Sequence, residues 1–153
     1  MKNILIADDS VTIIKLLTVY LNEYFGKDEI KIFKAKDGAE ALFTLHDNAD
    51  IEFIFLDIMM PVVDGYSVAK YIHSRELKMD TIVISSNLDK EMITSLAKMG
   101  FKNFLPKPIR NDRLIAVLEK LEENPKEEPS KKEMPKEETL KEKTSTVEVP
   151  SKE

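Results

Sequence analysis

The chain has 153 residues, a formal net charge of -5, 42% hydrophobic and 33% charged content, and no cysteine. That composition fits one folded domain plus a further segment. It excludes disulfides, thiolate chemistry, Cys-ligated zinc and bulk electrostatic attraction to nucleic acid. No apolar run approaches the length that spans a bilayer, and the start, Met1-Lys2-Asn3-Ile4-Leu5-Ile6-Ala7-Asp8-Asp9, turns acidic too soon for a signal peptide. A cytoplasmic protein without membrane insertion is the expectation.

In chain order, Ile4-Leu5-Ile6-Ala7 reads as a first buried strand, and Ile13, Leu16, Leu17, Tyr20, Leu21 and Tyr24 then recur at helical spacing before Gly26. Ile30 to Ala35 is a second strand. Asp37 with Glu40 forms a capping box for a helix carrying Ala41, Leu42 and Leu45. The apolar run Phe53-Ile54-Phe55-Leu56 ends abruptly in Asp57 and then in Pro61-Val62-Val63-Asp64-Gly65, the pattern of a strand buried on both faces. Asp64-Gly65 opens a helix with Val68, Ala69 and Ile72. Thr81-Ile82-Val83-Ile84-Ser85 is a fourth strand, and Asp89 caps a helix with Met92, Ile93, Leu96 and Ala97 that Gly100 ends. Phe101 to Leu105 is a short fifth strand, and Asn111 caps a last helix through Leu114, Leu118 and Leu121. Alternation of strand and helix predicts an α/β domain, an open parallel sheet with helices on both faces joined by right-handed crossovers.

In such sheets ligands bind beyond the carboxyl ends of the strands. That edge receives Asp8 and Asp9 from strand one, Asp57 from strand three, Ser85 from strand four and Lys107 after strand five. Crowded carboxylates repel one another unless a proton or a cation compensates. An oxygen-only set without His or Cys favours a hard cation, Mg²⁺ above all where phosphate must also bind. A lysine and a hydroxyl beside it suit a phosphoryl group.

These motifs, Ile-Ala-Asp8-Asp9-Ser, Ala35-Lys36-Asp37-Gly38-Ala39-Glu40-Ala41, Asp57-Ile-Met-Met-Pro61-Val-Val-Asp64-Gly65, Ser85 and Lys107-Pro108, resemble the receiver domain of bacterial response regulators, the family that includes the chemotaxis protein CheY. The resemblance covers residues 1–122. It implies a doubly wound five-stranded parallel sheet in the order 2-1-3-4-5, as in flavodoxin and CheY. It implies further that Asp57 accepts a phosphoryl group from a histidine kinase, a phosphotransfer protein or a small phosphodonor. Asp9, Asp57 and the backbone carbonyl of Met59 would hold Mg²⁺ directly, and Asp8 through water. Lys107 would pair with the phosphoryl oxygens and Ser85 would hydrogen-bond one of them. The resemblance also makes the Lys107-Pro108 bond cis, and makes Ser85 and Phe104 the switch pair, with Phe104 turning inward as Ser85 moves. Phe104 stands where the chemotaxis type carries Tyr, and Met59 stands where the family tunes dephosphorylation. The chain is expected to catalyse only its own phosphorylation and dephosphorylation, and to act as a stand-alone receiver. Its output would pass to a partner protein through the fourth helix, fifth strand and fifth helix, Lys90 and Phe104 included.

From Glu123 onward Glu, Lys, Pro, Ser and Thr dominate, so residues 123–153 are expected to be a disordered charged tail, with Thr146-Val147-Glu148-Val149 its best docking peptide. His46 and His73 fall on helices away from the acidic edge, and packing or surface roles are expected for both. Two other classes compete. A Mg²⁺-dependent aspartyl-phosphate phosphatase of the haloacid-dehalogenase type needs an acid where Met59 stands. A flavodoxin-like binder needs a Ser/Thr/Gly-rich loop where Asp8 and Asp9 stand. A non-phosphorylated scaffold receiver is the remaining alternative.

Overall fold

The structure is a computed structural model, and it describes residues 1–123. The proposed tail, apart from Glu123, and its Thr146-Val147-Glu148-Val149 segment lie outside the described residues. The elements are β1 (Lys2–Ala7), α1 (Val11–Phe25), a 3-10 turn (Lys27–Glu29), β2 (Ile30–Ala35), α2 (Gly38–Asp47), β3 (Phe53–Asp57), α3 (Gly65–Ser74), β4 (Asp80–Ser85), α4 (Lys90–Lys98), β5 (Asn103–Pro106) and α5 (Asn111–Glu123). All strand pairs are parallel, in the order β2-β1-β3-β4-β5, as the resemblance implied.

The strands are near-continuous apolar runs because both faces of the sheet are covered. Alternate residues serve opposite faces. Ile4, Ile6, Phe53, Phe55, Ile82 and Ile84 pack with Ile14, Leu17 and Leu21 of α1 and with Leu114 and Leu118 of α5. Leu5, Ala7, Ile54, Leu56 and Val83 pack with α2, α3 and α4 through Ala41, Leu45, Val68, Ala69, Ile72 and Leu96. Each fully buried Leu or Ile contributes about 2–3 kcal/mol, and these two layers hold the strand ends in register.

Helix starts follow the predicted caps at three places. Asp37, Asp64 and Asp89 accept the N–H groups of Glu40, Ser67 and Met92, each at 2.8 Å. The capping box is displaced by one residue, since Glu40 Oε1 takes the Lys36 N–H at 2.8 Å rather than that of Asp37. The start of α5 differs from the sequence reading. Asn111 is already helical and the Leu114 N–H bonds to the Arg110 carbonyl at 3.0 Å, so Arg110 holds the cap position. Arg110 supplies no capping oxygen, and Asp112 Oδ1 takes the Arg113 N–H at 2.9 Å within the first turn. Strand five begins at Asn103 rather than Phe101, because the Phe101 N–H returns to the Leu96 carbonyl to close α4. Helix α5 runs through Glu123, one residue past the predicted end of the body.

Candidate functional site

Backbone pairing aims each candidate side chain at the carboxyl edge of the sheet. Past β1, the Asp8 N–H bonds to the Ala35 carbonyl at the end of β2 at 3.0 Å. Past β3, the Ile58 N–H bonds to Ile84 of β4 at 3.2 Å. Past β5, the Lys107 N–H bonds to Ser85 of β4 at 3.0 Å, and the Lys107-Pro108 peptide is cis. The crevice opens between β1 and β3, where the strand order reverses and the helices that follow, α1 and α3, depart to opposite faces.

Asp8, Asp9 and Asp57 converge there, with one oxygen of each within 4.8 Å of the others. Asp8 and Asp57 are 0% and 2% exposed, whereas Asp9 is open to solvent. Lys107 spans the two buried acids, with Nζ 3.0 Å from Asp8 Oδ2 and 3.3 Å from Asp57 Oδ2. Its contact with Asp57 is a hydrogen bond. The shorter one to Asp8 is an ion pair without hydrogen-bond alignment, which leaves the buried Asp8 Oδ2 without a hydrogen-bond partner among the described residues. The other oxygens are held by backbone, Asp8 Oδ1 by the Ser10 N–H at 2.8 Å and Asp57 Oδ1 by the Met59 N–H at 3.2 Å.

Burial pushes the Asp57 carboxyl up to about 6 from an ordinary 3.8. The Asp8 charge adds to this, and Lys107 and the Met59 N–H only partly offset it. For Lys107, burial pulls the pKa down, but the contact with Asp8 and the charges of Asp57 and Asp8 outweigh it, so the net shift is upward. The ammonium is thus held charged while the acid it faces resists ionisation. Three carboxylates against one ammonium leave an excess of negative charge. Together with an Asp8 oxygen held only by its ion pair to Lys107 and an all-oxygen donor set, that excess fits a hard divalent cation.

Ser85 is 2% exposed, and its Oγ accepts the Asn87 N–H at 3.1 Å, so the hydroxyl keeps its own proton to donate. Phe104 is half-buried, opposite Val83 in register and packed on the α4 side of the core. Met59 is 64% exposed at the mouth, whereas Met60 is buried in the core. His46 and His73 are exposed on α2 and α3.

Three participants escaped the sequence reading. The Ser10 backbone orients Asp8, a role that the Asp-x-Ser spacing hints at. Gly65 lies so close to the strand end that a Cβ there would run into the Asp57 carbonyl. Gly38 is pressed in the same way against the Val63 carbonyl, bringing the start of α2 onto the loop that leaves Asp57. A glycine after an acid signals a tight turn, but the partner across the gap is invisible until the chain is folded.

Residues 4–119 match the family model described as the response regulator receiver domain. Among curated proteins, the chain is 32% identical over 119 residues to the response regulator GtcR of Aneurinibacillus migulanus, an alignment covering 77% of this chain and 46% of that protein. It is 29% identical over 120 residues to the chemotaxis protein CheY of Listeria monocytogenes, covering 78% of this chain and 98% of CheY. The chain therefore aligns with less than half the length of GtcR and with nearly all of CheY. Among solved structures, a chain in the crystal structure of the CheX-CheY-BeF3-Mg²⁺ complex from Borrelia burgdorferi superposes with a TM-score of 0.69 at 28% identity, covering 78% of this chain and 88% of that one.

Proposed function

The chain belongs to the response regulator receiver domain family, and from that membership and the crevice together we propose that it is a phosphorylation-controlled switch with Asp57 as phosphoacceptor. The observation that carries the proposal is Asp57 Oδ2 at the sheet edge, 3.3 Å from Lys107, with Asp8 and Asp9 close enough to share a cation. The donor is a histidine kinase, a phosphotransfer protein or a small acyl phosphate. A carboxylate oxygen of Asp57 forms a bond to phosphorus while the donor's leaving atom departs with the electron pair of its broken bond to phosphorus.

Such a transfer needs alignment and neutralisation of the equatorial oxygens more than any covalent help. Lys107 supplies one compact positive charge, and the Ser85 hydroxyl one hydrogen-bond donor. Asp9, Asp57 and the Met59 carbonyl would hold Mg²⁺, with Asp8 acting through water, and the ion would supply the remaining charge neutralisation. The Borrelia complex, one chain of which superposes on this one, contains BeF3 and Mg²⁺, and that supports the same pairing of ligands here. The domain turns over no external substrate; it promotes only the formation and loss of its own acyl phosphate, in the cytoplasm. The readout is a rearrangement of Ser85 and Phe104 that changes the surface of α4, β5 and α5 toward an output protein.

Intact mass after incubation with acetyl phosphate and Mg²⁺ tests this. A labile gain of one phosphoryl group is expected in the wild type, and none in Asp57→Asn or without Mg²⁺. No gain under conditions that label a control receiver would overturn the reading in favour of a scaffold.

A further inference from the structure

The loop of residues 58–64 that joins Asp57 to α3 is pinned at both ends. The Gly65 N–H donates to the Ile58 carbonyl at 2.9 Å, and Gly38 is pressed against Val63. Between the pins the Val63 N–H donates to the Pro61 carbonyl at 2.8 Å, closing a three-residue γ-turn with Val62 at its centre. Val62 has φ 70°. A γ-turn with positive central φ is the rare, strained form, and a β-branched residue at positive φ is an outlier in any setting. Packing of the side chain offsets none of this, since Val62 is 80% exposed.

Glu76 makes a useful contrast. It is the other non-glycine residue with positive φ among the described residues, at 53°. It closes α3 in the manner of a helix C-cap, with the Leu77 N–H on the Ile72 carbonyl at 3.1 Å and Leu77 packed on the core. Gly100, at φ 96°, closes α4 in the same way. Val62 terminates no helix and anchors nothing, so its strain falls wholly on the loop. That loop also carries Met59, whose N–H holds Asp57 Oδ1.

We propose that Val62 is a positioning residue that sets the strength of the cation site. Its strained turn lowers the population of the loop arrangement that aligns Met59 with Asp57, and so weakens metal binding relative to a residue at ease at positive φ. The inference rests on the reading of the Asp57 crevice as a Mg²⁺ site. A binding-competent state that is only partly populated weakens the apparent affinity by that fraction. Relieving the strain therefore tightens binding without touching any metal-facing group.

The test compares the full chain with Val62→Gly, Val62→Asn and Val62→Ala, by thermal melting in EDTA and by calorimetric titration with Mg²⁺. Gly and Asn are at ease at positive φ. Both variants should melt higher than wild type and bind Mg²⁺ about threefold or more tightly. Alanine shortens the exposed side chain but keeps the penalty of an L-residue, so its affinity should stay within about twofold of wild type. A higher melting temperature with unchanged affinity overturns the proposal, as does an unchanged melting temperature or tightening in Ala equal to that in Gly. Binding that Asp57→Ala abolishes but position 62 does not affect defeats this inference alone. No Mg²⁺ binding in any of the proteins defeats the Mg²⁺ reading of the crevice with it.

Discussion

Replacing Asp57 by Asn should stabilise the metal-free protein at neutral pH. The Asp57 carboxyl sits at about 6 in the folded chain against 3.8 when unperturbed, because it is buried beside Asp8. Below about pH 4 it is protonated in both folded and unfolded states and contributes nothing. Between about pH 4 and 6 the unfolded chain releases its proton while the folded chain keeps it, so stability falls as pH rises. Above about 6 the full penalty is present. A shift of about two units corresponds to about 3 kcal/mol.

The substitution also takes one acceptor from Lys107, whose Nζ keeps Asp8 Oδ2 at 3.0 Å. The net gain at pH 7 should then be about 1–3 kcal/mol, or roughly 3–10 °C in melting temperature for a domain of this size. Lys107, shifted upward, adds no slope in this window, since its stabilising contribution is complete below its unfolded pKa and is lost only in strong alkali. Urea denaturation in EDTA from pH 4 to 7.5, read as the difference between variant and wild type, isolates the effect from the other carboxylates. The difference should grow from near zero at pH 4 to its plateau near pH 7, and Mg²⁺ should narrow it by stabilising the wild type. A variant no more stable than wild type at pH 7, or a difference independent of pH, would refute the electrostatic account of the crevice.

Four further outcomes are expected. Gly65→Ala should destabilise by about 3 kcal/mol or more in chemical denaturation, because its Cβ would run into the Asp57 carbonyl and lie 2.7 Å from Ile58 Cα, backbone that cannot easily yield. Thr81→Val should stabilise by about 1 kcal/mol, since the buried Thr81 Oγ1 has no hydrogen-bond partner among the described residues and valine keeps its shape. Met59→Asn should shorten the lifetime of the phosphorylated form, measured as loss of the mass adduct, because an exposed apolar group at the mouth cannot orient water and an amide can. Lys90→Glu, at the exposed start of α4, should weaken phosphorylation-dependent capture of the output protein; unaltered capture would move that interface elsewhere.

Local pattern carried much of the fold. The run Phe53 to Leu56 ending in Asp57 marked a strand buried on both faces, and all five residues of β3 are buried. Asp37, Asp64 and Asp89 announced helix starts because a short side-chain acceptor at that position satisfies N–H groups that no helix can satisfy internally. The same logic misplaced the cap of α5, where Asn111 is the right residue type one position too late. Cap preference is weak beside the pairing of β5 with β4 and the burial of Ile109 and Leu114, which set where the chain turns.

The site divides along the same line. Residue types and their order placed Asp8, Asp9, Asp57, Ser85 and Lys107 at one edge of one sheet, because strand direction and alternation are short-range properties of the chain. Three features waited for the fold. One is the bridging of both buried acids by Lys107, another the upward shift of Asp57, and the third the left-handed γ-turn at Val62. Each depends on groups brought together from separate segments: Asp8 and Lys107 on Asp57, and Gly38 and Gly65 on the loop between them. Periodicity and capping are written within a few residues. Distances across a crevice, and the burial that gives them electrostatic weight, exist only once the layers have packed.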